Sequence, residues 1–302
     1  MIELNALTRT YGNSESGIFN ISGTLKTGKI YGIVGENGAG KTTLLKTISG
    51  ILNPDSGSVI IDGYESIRER KEALTRIGFM PDGIIVNSDS PIIEMLAYYG
   101  QTRGLSREDS MEKATVLLAR FGIDGRLVRS SLRRMSLGQK RRSMLAMSLM
   151  NDPMNILMDE PYNGFDPDGM RMVNDVITFE KGRGKTVIVS SHILKELESI
   201  ADEVIFISNG KINDQVDVKN ISKTGKRKVY LIISNADADL LGLLEGYGTV
   251  RQIGNQFEIS LDSGNNIKPE QINSAMVKSG YEVSSIRVEN PSLEDIYFSK
   301  KK

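Results

Sequence analysis

The spacing of apolar positions changes character along the chain. Short unbroken apolar runs occur at "KIYGIVG" (29–35), "IGFMP" (77–81), "NILMD" (155–159) and "TVIVSS" (186–191). Runs of this length without polar alternation predict strands covered on both faces, as in a parallel sheet. Between the second and third lie longer stretches of helical spacing, "IIEMLAYYG", "REDSMEKATVLLARFG" and "SLGQKRRSMLAMSLM". Strands alternating with helices predict an α/β domain over residues 1–218, with a helical subdomain at about 83–150. Near 217–228 the text turns polar and basic, "DVKNISKTGKRK", which predicts a linker. Residues 219–302 then read as a separate α+β domain: strand 228–234, helix 237–246, strands 249–254 and 256–261, helix 268–279, strand 280–289. That β-α-β-β-α-β order predicts a ferredoxin-like fold. A last helix, "SLEDIYFSK", opens with a serine cap and an acid three residues on.

Composition narrows the chemistry. The 302 residues hold 38 lysines and arginines against 38 aspartates and glutamates, so the net charge is zero. A dedicated nucleic-acid binder carries a basic excess, and no nucleic-acid partner is expected. With no cysteine and one histidine, disulfides, thiolate chemistry and clustered-histidine metal sites are excluded. No apolar run approaches the roughly 18 residues that cross a bilayer, and the N-terminus lacks a leader's apolar core. The expected location is therefore the cytoplasm. One local feature runs against the neutral average: "RRMSLGQKRR" (133–142) sets five basic side chains around Ser-Leu-Gly-Gln. A nucleic-acid grip, a membrane grip and a solvated helix face all fit such a run.

The strongest chemical signal is "GENGAGKTT" (35–43), which follows an apolar strand and precedes the helical "LLKTISGIL". This is the frame of a phosphate-binding loop. Gly35, Gly38 and Gly40 let backbone N–H groups turn onto phosphates at a helix N-terminus, with Asn37, Ala39 and Thr43 completing the loop. Lys41 places a charge on the outer phosphates, and the Thr42 hydroxyl suits magnesium. The expected ligand is a nucleoside triphosphate. At the end of "NILMD", Asp159 and Glu160 emerge where ligands bind in open α/β sheets. Asp159 suits a carboxylate that holds Mg2+, partly through water, and Glu160 suits the base that orients an attacking water. His192, the single histidine, follows the strand "TVIVSS" and is expected at the same sheet edge.

Together, Gly35–Thr42, Ser136–Gln139, Asp159–Glu160 and His192 resemble in order and spacing an ABC-type ATPase cassette, over about residues 1–215. The resemblance implies a P-loop ATPase fold with a mixed sheet, and ATP with Mg2+ as cofactors. It implies that Tyr11 stacks on adenine and that Asp166 helps link two cassettes. It implies that Ser136, Gly138 and Gln139, in "MSLGQ", face the γ-phosphate held by a second cassette, in a homodimer or with a paralogue. Leu137 stands where the first glycine of that motif is usual. Asp82 stands where many cassettes carry glutamine, a departure familiar in export-type cassettes similar to drug, antibiotic-peptide and polymer exporters. On this resemblance the flanking arginines and lysines read as a solvated helix face, with a supporting role near the phosphate as the lesser alternative. The implied function is an ATP-hydrolysing subunit that powers an exporter through ATP-driven pairing of two cassettes. A separate transmembrane permease would bring it to the inner face of the cell membrane. The alternatives are an importer ATPase, or a soluble cassette acting on nucleic acid or ribosomes.

Overall fold

The computed structural model describes residues 1–12, 16–83, 89–221, 227–237, 239–261 and 267–299, and falls into two compact units, 1–216 and 217–302. The first unit is built on two sheets. Strands β1 (Ile2–Thr10), β2 (Gly17–Leu25), β4 (Ser56–Ile61) and β5 (Tyr64–Glu65) form an antiparallel sheet in the order β2-β1-β4-β5. Strands β3 (Ile30–Val34), β6 (Ile77–Met80), β7 (Asn155–Asp159), β8 (Thr186–Ser190), β9 (Glu203–Ser208) and β10 (Lys211–Asp217) form the second, ordered β10-β9-β3-β8-β7-β6. Its pairs β3–β8, β3–β9, β8–β7 and β7–β6 are parallel. The two residues between β9 and β10, Asn209 and Gly210, both have positive φ, as a tight hairpin turn requires. Such a short link permits only antiparallel pairing, so the sheet is mixed, as expected.

β3, β6, β7 and β8 are buried along their whole length, which explains why they lack alternation in the sequence. Around them lie α1 (Lys41–Ile48), α2 (Arg70–Thr75), α6 (Pro167–Gly182) and α7 (Leu194–Ile200). Between β6 and β7 the chain forms α3 (Ile92–Thr102), α4 (Arg107–Arg120) and α5 (Leu137–Ser148). One core cluster joins the two sheets, from Ile2, Leu4 and Val59 on one to Tyr31, Leu157 and Ile205 on the other, with Leu44 and Leu45 of α1 between them. The antiparallel sheet escapes a simple alternation rule because β1 is bulged: its register shifts between Leu4 and Leu7, where Ala6 has φ 47°.

The second unit is a four-stranded antiparallel sheet, β12-β13-β11-β14, of β11 (Arg227–Ile233), β12 (Thr249–Ile253), β13 (Gln256–Leu261) and β14 (Val283–Glu289). With α8 (Asp239–Glu245) and α9 (Pro269–Lys278) as its two crossovers, this is the ferredoxin-like order expected. Val229, Leu231, Phe257 and Ile259 pack against Leu240, Leu244, Ile272 and Met276. The final helix α10 (Leu293–Ser299) starts as anticipated, with the Asp295 N–H donating to the Ser292 hydroxyl at 3.2 Å. β10 runs to Asp217, so the first residue of the expected linker is strand, and residues 222–226 of it lie outside the described residues. No helix among the described residues is long and apolar enough to cross a membrane.

The end of α6 is pinned by an ionic cluster. Lys185 and Glu180, both buried, pair at 2.7 Å, and Lys185 also pairs with Asp152. Arg183 grips both oxygens of Asp152 at 2.8 and 2.9 Å. Burial alone would raise the Asp152 carboxyl, but the hydrogen bonds from Arg183 and Lys185 outweigh it and hold the group down at about 2. A depressed folded-state value means the stabilisation is complete above the unfolded value near 4 and fades as pH falls towards about 2. Asp152→Asn should therefore cost on the order of 1 kcal/mol at pH 7, after screening of a half-exposed carboxylate. Urea melts at pH 7, 5 and 3 check this: the deficit should shrink at the lowest pH, and a constant deficit would contradict it.

Candidate active site

The site forms where three parallel strands end. β3 runs into Gly35, which has no room for a side chain: a Cβ there would meet the Ile207 carbonyl oxygen at 2.3 Å. At the far end of the loop Gly40 caps α1 with φ 106°, a left-handed conformation that favours glycine. The loop thereby closes over Ala39, buried, while Asn37 and Gly38 stay exposed. Lys41 opens α1 nearly buried, donating to the carbonyls of Gly35 at 2.8 Å and Glu36 at 3.2 Å. Both of these acceptors are neutral backbone carbonyls.

β7 delivers the acids. Asp159 is fully buried and pairs in register with Ser190 of β8. The Ser190 hydroxyl donates to Asp159 Oδ1 at 2.6 Å and accepts the Glu160 N–H at 3.0 Å. Asp159 Oδ2 is buried with no hydrogen-bond partner. Burial pushes the Asp159 carboxyl upward; hydroxyls of Ser190 and Thr42 pull it back, and the charges of Asp82 and Glu160 push it up again. Immediately after the strand, Glu160 takes φ 47°, a left-handed conformation costing on the order of 1 kcal/mol for a residue with a side chain. The turn carries the carboxylate across to α1 and β8. Glu160 Oε1 lies 3.7 Å from Lys41 Nζ, and Oε2 lies 2.7 Å from His192 Nδ1. Behind this turn Tyr162, whose hydroxyl is pushed up by burial, donates to Asn174 at 2.7 Å. Asn174 in turn donates to Glu196 of α7 at 2.8 Å, so the segment after Glu160 and the one after His192 share a brace.

Lys41, Thr42, Asp159, Glu160 and His192 thus converge as the sequence implied. Tyr11, half-exposed, stands beside the loop, its hydroxyl 3.4 Å from Thr43 Oγ1. Asp82 meets Arg141 Nη2 at 3.0 Å and Asn163 Nδ2 at 2.9 Å. Asp166 caps α6, accepting from the Gly169 N–H at 2.8 Å. Ser136 caps α5: its hydroxyl accepts from the Gln139 N–H at 3.3 Å, and Gln139 Oε1 accepts from the Ser136 N–H at 3.0 Å. Among the described residues no hydrogen bond or ion pair joins 136–139 to Lys41, Asp159 or Glu160.

Two features escape a reading of the sequence alone. Ser190 is the hinge between both acids, and only the β7–β8 register reveals it. Arg141 corrects the expectation of a solvated basic face: it is 7% exposed, whereas Arg133 and Arg134 are exposed as expected. The signal lay in helical spacing, since Arg141 precedes buried Met144 and Leu145 by three and four residues.

Comparison with known proteins agrees with this geometry. The sequence model of the ABC transporter family matches residues 18–163, and the C-terminal domain of DrrA1-3-like ATP-binding proteins matches 217–300. The lantibiotic transport ATP-binding protein SrtF of Streptococcus pyogenes is 33% identical over 214 residues, 70% of this chain and 89% of SrtF. The chain belongs to the ABC transporter ATP-binding family. It is accordingly an ATP-binding and ATP-hydrolysing cassette that serves a membrane transporter. The bacitracin transport ATP-binding protein BcrA of Bacillus licheniformis is 28% identical across 99% of this chain and 96% of its own length. A solved ATP-binding cassette, a dimer in a post-hydrolysis state with ADP and phosphate, shares the fold at TM-score 0.66. It is 23% identical, over 72% of this chain and 99% of that one.

Removing the Ser190 hydroxyl takes this partner from the buried Asp159 Oδ1 and leaves the Glu160 N–H of the cassette only the Ser190 carbonyl, at 3.1 Å. Ser190→Ala should lower unfolding stability by about 2 kcal/mol, the scale of a buried hydrogen bond to a charged group. Its ATPase turnover should fall as well. Denaturant melts beside steady-state assays check both, and a variant with wild-type stability would contradict the bridging role.

Proposed function

We propose that this cassette hydrolyses ATP in a site completed by a second cassette, and that the cycle drives export through a separate permease. The observation that carries the reading is the placement of Glu160 between Lys41 and His192, beside the buried Asp159 carboxylate. Phosphates of ATP would displace the Gly35 and Glu36 carbonyls from Lys41 and take the N–H groups at the start of α1, with Tyr11 against the base. The unpartnered Oδ2 of Asp159 and the neighbouring Thr42 hydroxyl suit a magnesium ion, held partly through water. Such an ion would neutralise charge on the phosphates and favour the ionised Asp159. Glu160 would orient a water and accept its proton as the water oxygen bonds to the γ-phosphorus. The bond from that phosphorus to the bridging oxygen breaks, giving ADP and phosphate. His192 holds the carboxylate by its Oε2 throughout.

The second cassette is invoked because Ser136, Gly138 and Gln139 stand at the start of α5, where, among the described residues, no hydrogen bond or ion pair joins them to this chain's own loop. Offered to another copy or a paralogue, that helix start supplies N–H donors for a γ-phosphate, and Asp166 would help link the two. Support for export comes from relatives named for lantibiotic transport, bacitracin transport and linearmycin resistance. The permease would hold the cassette at the cytoplasmic face of the membrane and choose the transported compound. Residues 219–302 would be an accessory domain that steadies or regulates the pair.

Lys41→Ala should abolish measurable ATP hydrolysis while the chain remains folded. A phosphate-release assay beside a thermal melt checks it, and near-wild-type turnover would remove Lys41 from the site.

A further inference from the structure

Asp82 stands where the resemblance places a nucleotide-sensing glutamine, but its hydrogen bonds point elsewhere. Arg141, in the second turn of α5, reaches back to the end of β6. Its Nη1 donates to the Pro81 carbonyl at 3.3 Å and its Nη2 to Asp82 Oδ1 at 3.0 Å. The guanidinium is buried, and its Nε has no hydrogen-bond partner. The same Asp82 oxygen accepts from Asn163 Nδ2 at 2.9 Å, and the Asn163 N–H donates to the Glu160 carbonyl at 3.2 Å. One carboxylate oxygen thus joins the end of β6, the start of α5 and the turn that carries Glu160. A second contact runs alongside it, where the Leu137 side chain covers Gly164 of the same turn.

We infer that Asp82 and Arg141 are a matched pair, and that Arg141 is a positioning residue for ATP hydrolysis, setting where the Ser136 end of α5 stands relative to Glu160. A buried guanidinium requires a compensating negative charge. Glutamine at position 82 would leave the buried Arg141 charge without its carboxylate partner, and a neutral residue at 141 would leave Asp82, whose charge acts on Asp159, without this cation. The acid at 82 and the arginine at 141 therefore make sense only together. The inference rests on the proposed reading of Ser136–Gln139 as the face offered to a second cassette.

The test is a double-mutant cycle in the full chain: Asp82→Gln, Arg141→Gln and both together. The readouts are ATPase kcat and KM, assayed below every variant's melting temperature, and binding of a fluorescent ATP analogue. Each single change should lower kcat by at least ~10-fold, and the double variant should return to within ~3-fold of wild type, the signature of coupled neighbours. Arg141→Gln should bind the analogue within ~2-fold of wild type, since the loop around Lys41 is untouched. Arg141→Lys, which keeps the charge without the fork, should fall between Arg141→Gln and wild type, and it serves in place of Arg141→Gln should that variant not fold. A double variant showing the product of the two losses overturns the pairing. So does a kcat loss that vanishes once melting temperature is matched. Failure of the wild-type chain to hydrolyse ATP would instead strike the functional reading itself.

Discussion

The parallel pairing of β3, β8 and β7 is the constraint on which the site depends. In register, Ile33 lies beside Ser190 and Ser190 beside Asp159, so three strands end at one level. Each then releases a different chemistry: a glycine loop and Lys41 after β3, Asp159 and Glu160 from β7, His192 after β8. Parallel strands need both faces covered, and the continuous burial of these three shows how completely the helices and the antiparallel sheet do so. The rigidity that results lets Glu160 hold a left-handed backbone, which a looser frame would relax. Ser190 carries the constraint from fold to site, because its hydroxyl holds Asp159 by an oxygen and joins its own carbonyl in holding the Glu160 N–H.

Much of this was legible because continuous apolar runs mark buried parallel strands, and polar residues at their ends mark a sheet edge. The glycines at 35, 38 and 40 announced a loop whose backbone had to do what no side chain permits. The antiparallel sheet was less legible, since the bulge at Ala6 breaks the alternation that identifies a half-buried strand. Asp166 and Ser136 are visibly helix caps within one chain. Any wider role depends on a surface that one chain does not complete. Arg141 is hard to read because a basic run suggests solvent, and only the helical phase shows that this one of the five basic side chains turns inward.

That inward turn changes the meaning of the run at 133–142. Arg133 and Arg134 stay exposed, while Arg141 is spent on Asp82. The stretch between them forms a capped helix start with exposed Ser136 and Leu137. Basic residues here frame and orient a helix N-terminus; they do not form a continuous patch. In the proposed cycle, its anion is the γ-phosphate bound by another cassette, and hydrolysis at Glu160 would release the pair.

The most direct measurement of this account is sedimentation of Glu160→Gln with and without ATP. The glutamine keeps the shape of Glu160 but accepts no proton, so it should bind ATP, hydrolyse it far more slowly than wild type and sediment as a dimer. Without nucleotide, or with ADP, it should return to a monomer. A variant that stays monomeric at saturating ATP, or hydrolyses at the wild-type rate, would contradict a site shared between two cassettes with Glu160 at its centre.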